Sequence, residues 1–192
     1  MTKLEGINNF TRTQRLGAAI DLWFAADAIP GLRTELPYPA RGYGRDPLTG
    51  YRRLGRIAGS AEAHDLEAFV IRHNTPHHPR LQAIGMATVQ KAQDNWGLNT
   101  PGGIELSYWC ASDPKKAHDI GTTATKELLE ASKVMPQTHS WHIRWMVTLP
   151  EDEIKKAVCE EVGLAPMGSP QRYDIGDGVT LPRQLWGIDF AD

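Results

Sequence analysis

A chain of 192 residues with 41% hydrophobic and 23% charged residues and a formal net charge of −2 has the make-up of one globular domain, which excludes a disordered chain and leaves enough residues to bury a core. No apolar run approaches the ~20 residues that cross a bilayer, and the opening MTKLEGINNFTRTQRLG lacks the apolar centre of a secretion signal, so a cytoplasmic protein is expected. The first sixty residues carry nine Lys and Arg against five Asp and Glu, but the arginines are spread rather than packed, a pattern that suits a solvated face better than a nucleic-acid patch.

Taken in chain order, Thr13 to Asp27 places Leu16, Ile20, Trp23 and Phe24 at helical spacing, predicting a helix that turns this stripe to a core and stops at Pro30. From Gly31 to Gly59 glycines, prolines and arginines predict a long irregular connection with a short helix or strand near its end. Long loops inside compact domains are more often functional than idle. LEAFVIRH (Leu66 to His73) and LQAIGMATVQ (Leu81 to Gln90), joined by NTPHHPR, predict an antiparallel hairpin. GGIELSYWC supplies a third strand; the polar stretch after it reads as a turn, with a helix opening at Gly121 and running to Lys133. In THSWHIRWMVT the alternate residues Trp141, Ile143, Trp145 and Val147 are apolar, as a strand requires. PEDEIKKAVCEEVG predicts a helix with Ile154, Ala157, Val158 and Val162 on one face, Pro150 near its start and Gly163 as its stop. RQLWGIDF closes the chain as a strand. The sum is an α+β domain with a β–α–β–α centre, divided into a helical segment over residues 1–60 and a sheet core over 61–192.

The two cysteines, Cys110 and Cys159, sit in apolar segments and are expected as buried free thiols. His73, His77 and His78 crowd one turn, and His139 and His142 fall on opposite faces of a strand; no cysteine or acid completes a ligand set at recognisable spacing, so no metal is predicted. Trp96 sits in a loop ahead of the third strand, where it is placed to line a substrate entrance.

The strand Glu105, Leu106, Ser107, Tyr108, Trp109 is followed by Asp113-Pro114 and Gly121, and then by a helix carrying Pro150, Glu151, Asp152, Val158, Glu160, Gly163 and Leu164. In that order the run from Gly103 to Leu164 resembles the acyl-coenzyme A dependent N-acetyltransferases of the GNAT superfamily, and within it the ribosomal-protein acetyltransferase branch. In that branch a strand near E-I-G-Y-W leads through a D-P loop and a Gly-rich turn into a helix, and the second helix runs P-E-N-x-A-S-x-x-V-x-E-K-x-G-F. The resemblance implies a single-domain, mixed but mostly antiparallel sheet with helices on both faces and a splayed central strand pair.

It also implies site residues. The arm of acetyl-CoA, or of another acyl-CoA, would lie between the splayed strands, one ending near Cys110 and the next beginning near Thr138, paired with the backbone of Trp109, Cys110 and Ala111. The diphosphate would sit on the turn of Lys116, His118, Asp119, Ile120, Gly121, Thr122 and Thr123, where the family has R/Q-x-x-G-x-G/A and this chain keeps one glycine; Asp152 and Lys155 open the second helix beside it. A turn of this kind binds anions through backbone N–H groups and the positive end of the helix. Acyl transfer needs a base, an oxyanion donor and a proton for the departing thiolate. Glu105 is the candidate base, its alternative being an ion pair with Arg144. Ser107 and Tyr108 are candidates to hold water or donate to sulfur. Cys159 stands where the superfamily often has an acidic tyrosine, either a weak donor or a small apolar filler. The expected activity is N-acyl, most often N-acetyl, transfer to an amine of a small molecule, peptide or protein. The alternatives are a GNAT-fold enzyme acting on nucleic acid or aminoacyl-tRNA through the Arg41 to Arg56 segment, and an inactive acyl-CoA-binding or partner-binding module. No membrane is implied, and a homodimer is left open.

Overall fold

A computed structural model describes residues 1–27, 46–61, 66–74, 81–91, 103–134, 142–174 and 180–190. The chain starts with strand β1 (Thr2–Gly6), which leads through a short 3-10 turn (Ile7–Asn9) into α1 (Arg12–Asp27) and then α2 (Pro47–Ala61). The predicted hairpin follows as β2 (Leu66–His73) and β3 (Gln82–Lys91), then β4 (Ile104–Cys110), α3 (Pro114–Ser132), β5 (Ile143–Thr148), α4 (Glu153–Glu161), the short β6 (Ala165–Pro166) and β7 (Gln171–Asp174), and a long β8 (Thr180–Asp189). The sheet order is β1-β2-β3-β4-β5-β8-β6, with β7 also on β8. All described pairings are antiparallel except β4 with β5. The amino-terminal segment is therefore part of the sheet, through β1, as well as helical.

Helices α1 and α2 cover one face, around Leu22, Leu54, Val70, Met86 and Trp109; α3 and α4 cover the other, around Leu106, Tyr108, Ile120, Leu128 and Val158. Helix α1 begins with a reciprocal cap, Thr11 Oγ1 accepting from Gln14 N at 3.2 Å and Gln14 Oε1 from Thr11 N at 2.9 Å, which satisfies two otherwise unpaired amides. Its buried face is Ala18, Ala19, Leu22, Ala25 and Ala26, whereas Leu16, Ile20 and Phe24 are 47%, 39% and 63% exposed and Trp23 is half-buried. This corrects the expected stripe. The helix lies against β3 and α2 through its small residues, and Asp21 accepts Ala83 N–H at 3.2 Å; alanines permit an approach that Leu, Ile and Phe would hold off. Of the expected connection over Gly31 to Gly59, the helix near its end is present and longer than expected, as α2, whose first turn is capped by Asp46 accepting from Thr49 N at 2.8 Å. Residues 28–45 lie outside the described residues.

Candidate functional site

The site is set by one interruption in the sheet. Strand β4 pairs with β3 along its whole length and β5 with β8 along its whole length, but β4 and β5 meet only at Ile104–Arg144 and Glu105–Trp145. Beyond that point β4 continues to Cys110 and β5 to Thr148 with no pairing between them, each held away by its outer neighbour. The expected splayed pair is present, with its geometry corrected. Because α3 carries the chain back across the sheet, β4 and β5 run parallel, so the opening lies between the two carboxyl ends, Cys110 and Thr148, and not at the start of the second strand. Thr138 and Trp141 lie outside the described residues.

Backbone alternation decides which groups face this gap. Ala111 N–H is taken by Ile84 O at 2.7 Å, so Ala111, and two residues back Trp109, turn their backbone toward β3. Tyr108 and Cys110 turn theirs to the gap. Of the three residues expected along the gap, Cys110 turns its backbone to it, Trp109 and Ala111 turn theirs to β3, and Tyr108 faces the gap with Cys110. The Trp109 side chain is buried under α1 and α2.

The side chains divide between the two faces. Glu105, Ser107 and Trp109 point to the α1–α2 side. Glu105 is 5% exposed and accepts a hydrogen bond from Gln90 Nε2 at 2.8 Å, its cross-strand neighbour on β3. Ser107, half-buried, lies opposite Thr88. Trp145 stands beside Glu105 at the closed end of the gap, and its buried indole N–H has no hydrogen-bond partner among the described residues. Arg144 does not share this face: it is buried on the α3 side, donating to Ser132 Oγ at 3.0 Å and Ser132 O at 3.1 Å. The expected alternative of a Glu105–Arg144 pair therefore finds the two residues on opposite sides of the sheet. Burial lowers the pKa of the arginine, yet its guanidinium is caught by Ser132 and stacks over Phe190 at 5.4 Å. Gln90 escaped the sequence reading because its register against Glu105 is a tertiary fact; the polar end of an otherwise apolar strand was its only sign.

On the other face, Tyr108 is buried between α3 and α4, with burial raising its phenol well above the usual range. Its hydroxyl lies where a Cβ on Gly121 would be. Its ring packs among Ile120, Val158 and Leu106, between the sheet and the two helices. Cys159 is fully buried, next to Met146 Sδ at 4.0 Å, with its thiol pushed up to about 12 by desolvation; the filler alternative fits it. Cys110 is half-buried with its Sγ 3.8 Å from Ser112 Oγ, and burial raises its thiol too. Lys155 reaches from the first turn of α4 to the same place: its Nζ lies 5.1 Å from the Tyr108 ring centre, and desolvation lowers its pKa while Asp152 works against that shift. Asp152 is committed as the α4 cap, accepting from Lys155 N at 3.0 Å.

The residues expected to form a turn ahead of a helix at Gly121 are helical. Helix α3 starts at Pro114, with Asp113 as its cap, not at Gly121. Asp113 Oδ1 accepts from Lys115 N at 2.9 Å, and Asp113 O from Lys116 N and Ala117 N at 2.8 and 3.0 Å. A capping Asp followed by Pro at the first helical position is a strong start signal, and it outranks the loop-like composition after it. His118, Asp119, Ile120, Gly121, Thr122 and Thr123 are therefore helical, with backbone groups spent inside the helix. Ile120, Gly121 and Thr122 are buried. Gly121 lets α3 approach Tyr108 and Val158 closely. Thr122 and His118 face Glu161 of α4 at 3.4 Å each, and Thr123 Oγ1 donates back to Asp119 O at 2.9 Å. Lys116, Asp119 and Thr123 border a hollow of about 540 Å³ on the β1–β2 side of α3, away from the gap.

Among the described residues no cluster of His, Cys, Asp or Glu suits a metal ion. His73 Nδ1 lies 3.0 Å from Thr2 Oγ1 and His142 Nε2 lies 3.7 Å from Asp189. His77, His78, His139 and Trp96 fall outside the described residues. Both cysteines are free thiols, as expected. No described helix is long and apolar enough to cross a membrane.

No protein-family model and no curated protein matches this sequence. Solved structures do match. RimL, a ribosomal L7/L12 alpha-N-protein acetyltransferase solved with coenzyme A, is 9% identical, with 100% of this chain and 96% of that chain covered at a TM-score of 0.66. Mycobacterium smegmatis RimJ, in complex with a CoA-disulfide, is 16% identical, covering 98% and 87% at a TM-score of 0.64. The microcin C7 self-immunity acetyltransferase MccE, in complex with acetyl-CoA and AMP, is 12% identical, covering 91% and 88% at a TM-score of 0.64. Agreement over nearly the whole chain at such low identity is agreement of architecture: this chain has the fold of the GNAT acetyltransferases.

Proposed function

We propose that this protein is an acyl-CoA dependent N-acyltransferase, with acetyl-CoA as donor and the α-amino group of a peptide or protein as acceptor. The observation that carries the reading is the gap between β4 and β5 with a buried, oriented carboxylate, Glu105, at its closed end. The residues fit an acyl-CoA in its thioester half: among the described residues no strand pairs with the backbone of Tyr108 and Cys110 on the gap side, so an extended arm can complete the sheet there. The diphosphate half would meet the amino end of α3, at the exposed side chains of Lys115 and of Lys116, the latter already in the expected set, with Asp113 the competing anion on the same helix end.

When bound, the thioester supplies an acyl carbon open to an amine. Glu105, held by Gln90 Nε2, takes the proton from the attacking nitrogen, directly or through water on Ser107. The Tyr108 and Cys110 amides, whose backbone turns to the gap, would be the donors for a developing oxyanion. A protein acceptor is favoured by the likeness to RimL, which acts on a ribosomal protein. The tRNA alternative rests on Arg52, Arg53 and Arg56 of α2; it is tested by salt, because acceptor affinity should fall steeply with ionic strength if several phosphates are gripped.

The test is thermal. Acetyl-CoA at 100 times its Kd should add about 2.7 kcal/mol by mass action, roughly 5–10 °C of Tm for a chain of this size. No shift at millimolar acetyl-CoA would remove the proposal. A shift without acetyl transfer to any amine or peptide would favour the inactive binding module.

A further inference from the structure

We propose that Lys155 is the proton donor to the departing sulfur, the role the buried Cys159 cannot fill; this rests on the acyltransferase reading above. Lys155 and Cys159 are one helical turn apart on the same face of α4. Cys159 is fully buried against Met146, whereas Lys155 stands at the open end of the strand gap, half-buried, with its ammonium over Tyr108. Among the described residues its Nζ makes no hydrogen bond or ion pair, and its one contact is with the face of the Tyr108 ring, beside Cys110 at the end of β4. A desolvated ammonium without an acceptor is costly to keep, and an aromatic face repays that cost only in part.

The surroundings suit a donor. Tyr108 and Cys110 face Lys155 from β4, Asp152 and Cys159 from its own helix, and Arg183 from β8. Burial lowers its pKa, Asp152, Cys110 and Cys159 oppose that, and Arg183 adds to it. An ammonium that holds its proton less tightly than an ordinary lysine is the better acid toward a departing thiolate. The proton balance closes. The acceptor nitrogen forms its bond to the acyl carbon and loses a proton to Glu105; the carbon–sulfur bond breaks with its electron pair going to sulfur; Lys155 Nζ gives sulfur a proton. Solvent then returns a proton to Lys155 and takes one from Glu105.

The experiment compares the wild type with Lys155→Met and Lys155→Arg, each checked for folding by far-ultraviolet circular dichroism. Two readouts are followed: the pH profile of kcat with acetyl-CoA, and the ultraviolet thiolate band of bound coenzyme A, which needs no turnover. Loss of the acid should lower kcat about 100-fold or more in Lys155→Met, with KM for acetyl-CoA changed less than threefold. The alkaline limb of the wild-type profile should disappear in Lys155→Arg, whose guanidinium does not titrate. The bound thiolate band should shift its pH midpoint in both variants. A raised KM at unchanged kcat would overturn the proposal in favour of a donor-binding lysine, and so would an unchanged thiolate midpoint in a variant that still binds coenzyme A. Should Lys155→Met fail to fold, Lys155→Arg decides alone, and a retained alkaline limb overturns the role. If the wild type itself binds no coenzyme A, the acyltransferase reading fails and this role falls with it.

Discussion

Replacing Gly121 by Ala separates two accounts of the same residue. As a phosphate-turn glycine it would matter for ligand affinity and little for stability. In the structure it lies inside α3 against Tyr108 of β4 and Val158 of α4, and an added Cβ runs into the Tyr108 hydroxyl and meets Val158 Cγ2 at 3.0 Å. Alanine in a helix interior gains about 1 kcal/mol over glycine. Overpacking a buried contact costs about 1–3 kcal/mol, and here the obstacle is a buried ring wedged between two helices, which sets the cost toward the upper end. The net expectation is a loss of about 1–2 kcal/mol of unfolding free energy, read as a lower urea midpoint at unchanged slope. Tyr108→Phe removes the colliding oxygen, so the double variant should recover about 1 kcal/mol of coupling. Affinity for coenzyme A should stay within threefold of wild type. A Gly121→Ala variant of wild-type stability or better that had lost coenzyme A binding would refute the placement of this residue inside the helix.

Glu105→Gln should lower kcat about 100-fold while leaving the acetyl-CoA induced Tm shift in place; an unchanged rate removes Glu105 as the base. Asp113→Asn keeps a capping side chain and removes a charge beside the proposed diphosphate, so KM for acetyl-CoA should fall up to about fivefold, the size of one charge a few Å away in watery surroundings; a raised KM in steady-state kinetics would show the carboxylate helping. Cys159 has its folded thiol pushed up to about 12 from 9.0. Above pH 9 the unfolded chain loses that proton and the folded one keeps it, so stability falls as pH rises. The stability advantage of wild type over Cys159→Ala should shrink by about 1.4 kcal/mol from pH 8 to pH 10, and a constant difference in urea titrations would contradict the buried thiol.

The sheet elements were legible in the sequence because their patterns are local. Leu66 to His73 and the next apolar run, with two prolines between, could only be a hairpin, and Asp152 and Gly163 bracket α4 within its own sequence. The opening beside β4 was legible only through resemblance, since no residue pattern marks where two strands stop pairing. Two failures have clear causes. Leu16, Ile20 and Phe24 hold helical spacing as well as any core stripe, but the alanines on the adjacent face decided the packing, and periodicity does not say which stripe wins. Gly121 was read as a turn because glycine usually marks one, although Asp113-Pro114 had already announced a helix; its real cause is Tyr108, thirteen residues earlier in the chain and invisible without the fold. Gln90 and Lys155 entered the site by the same route, through neighbours brought together across strands and helices.

Amide hydrogen exchange with and without coenzyme A tests the site most directly, because Tyr108 and Cys110 carry the backbone groups left open along the gap. Slowed exchange at these two amides on saturation, with the β2–β3 amides unchanged, is the expected result. Coenzyme A that binds while leaving both amides exchanging at their free rates would contradict the placement of the acyl donor between β4 and β5.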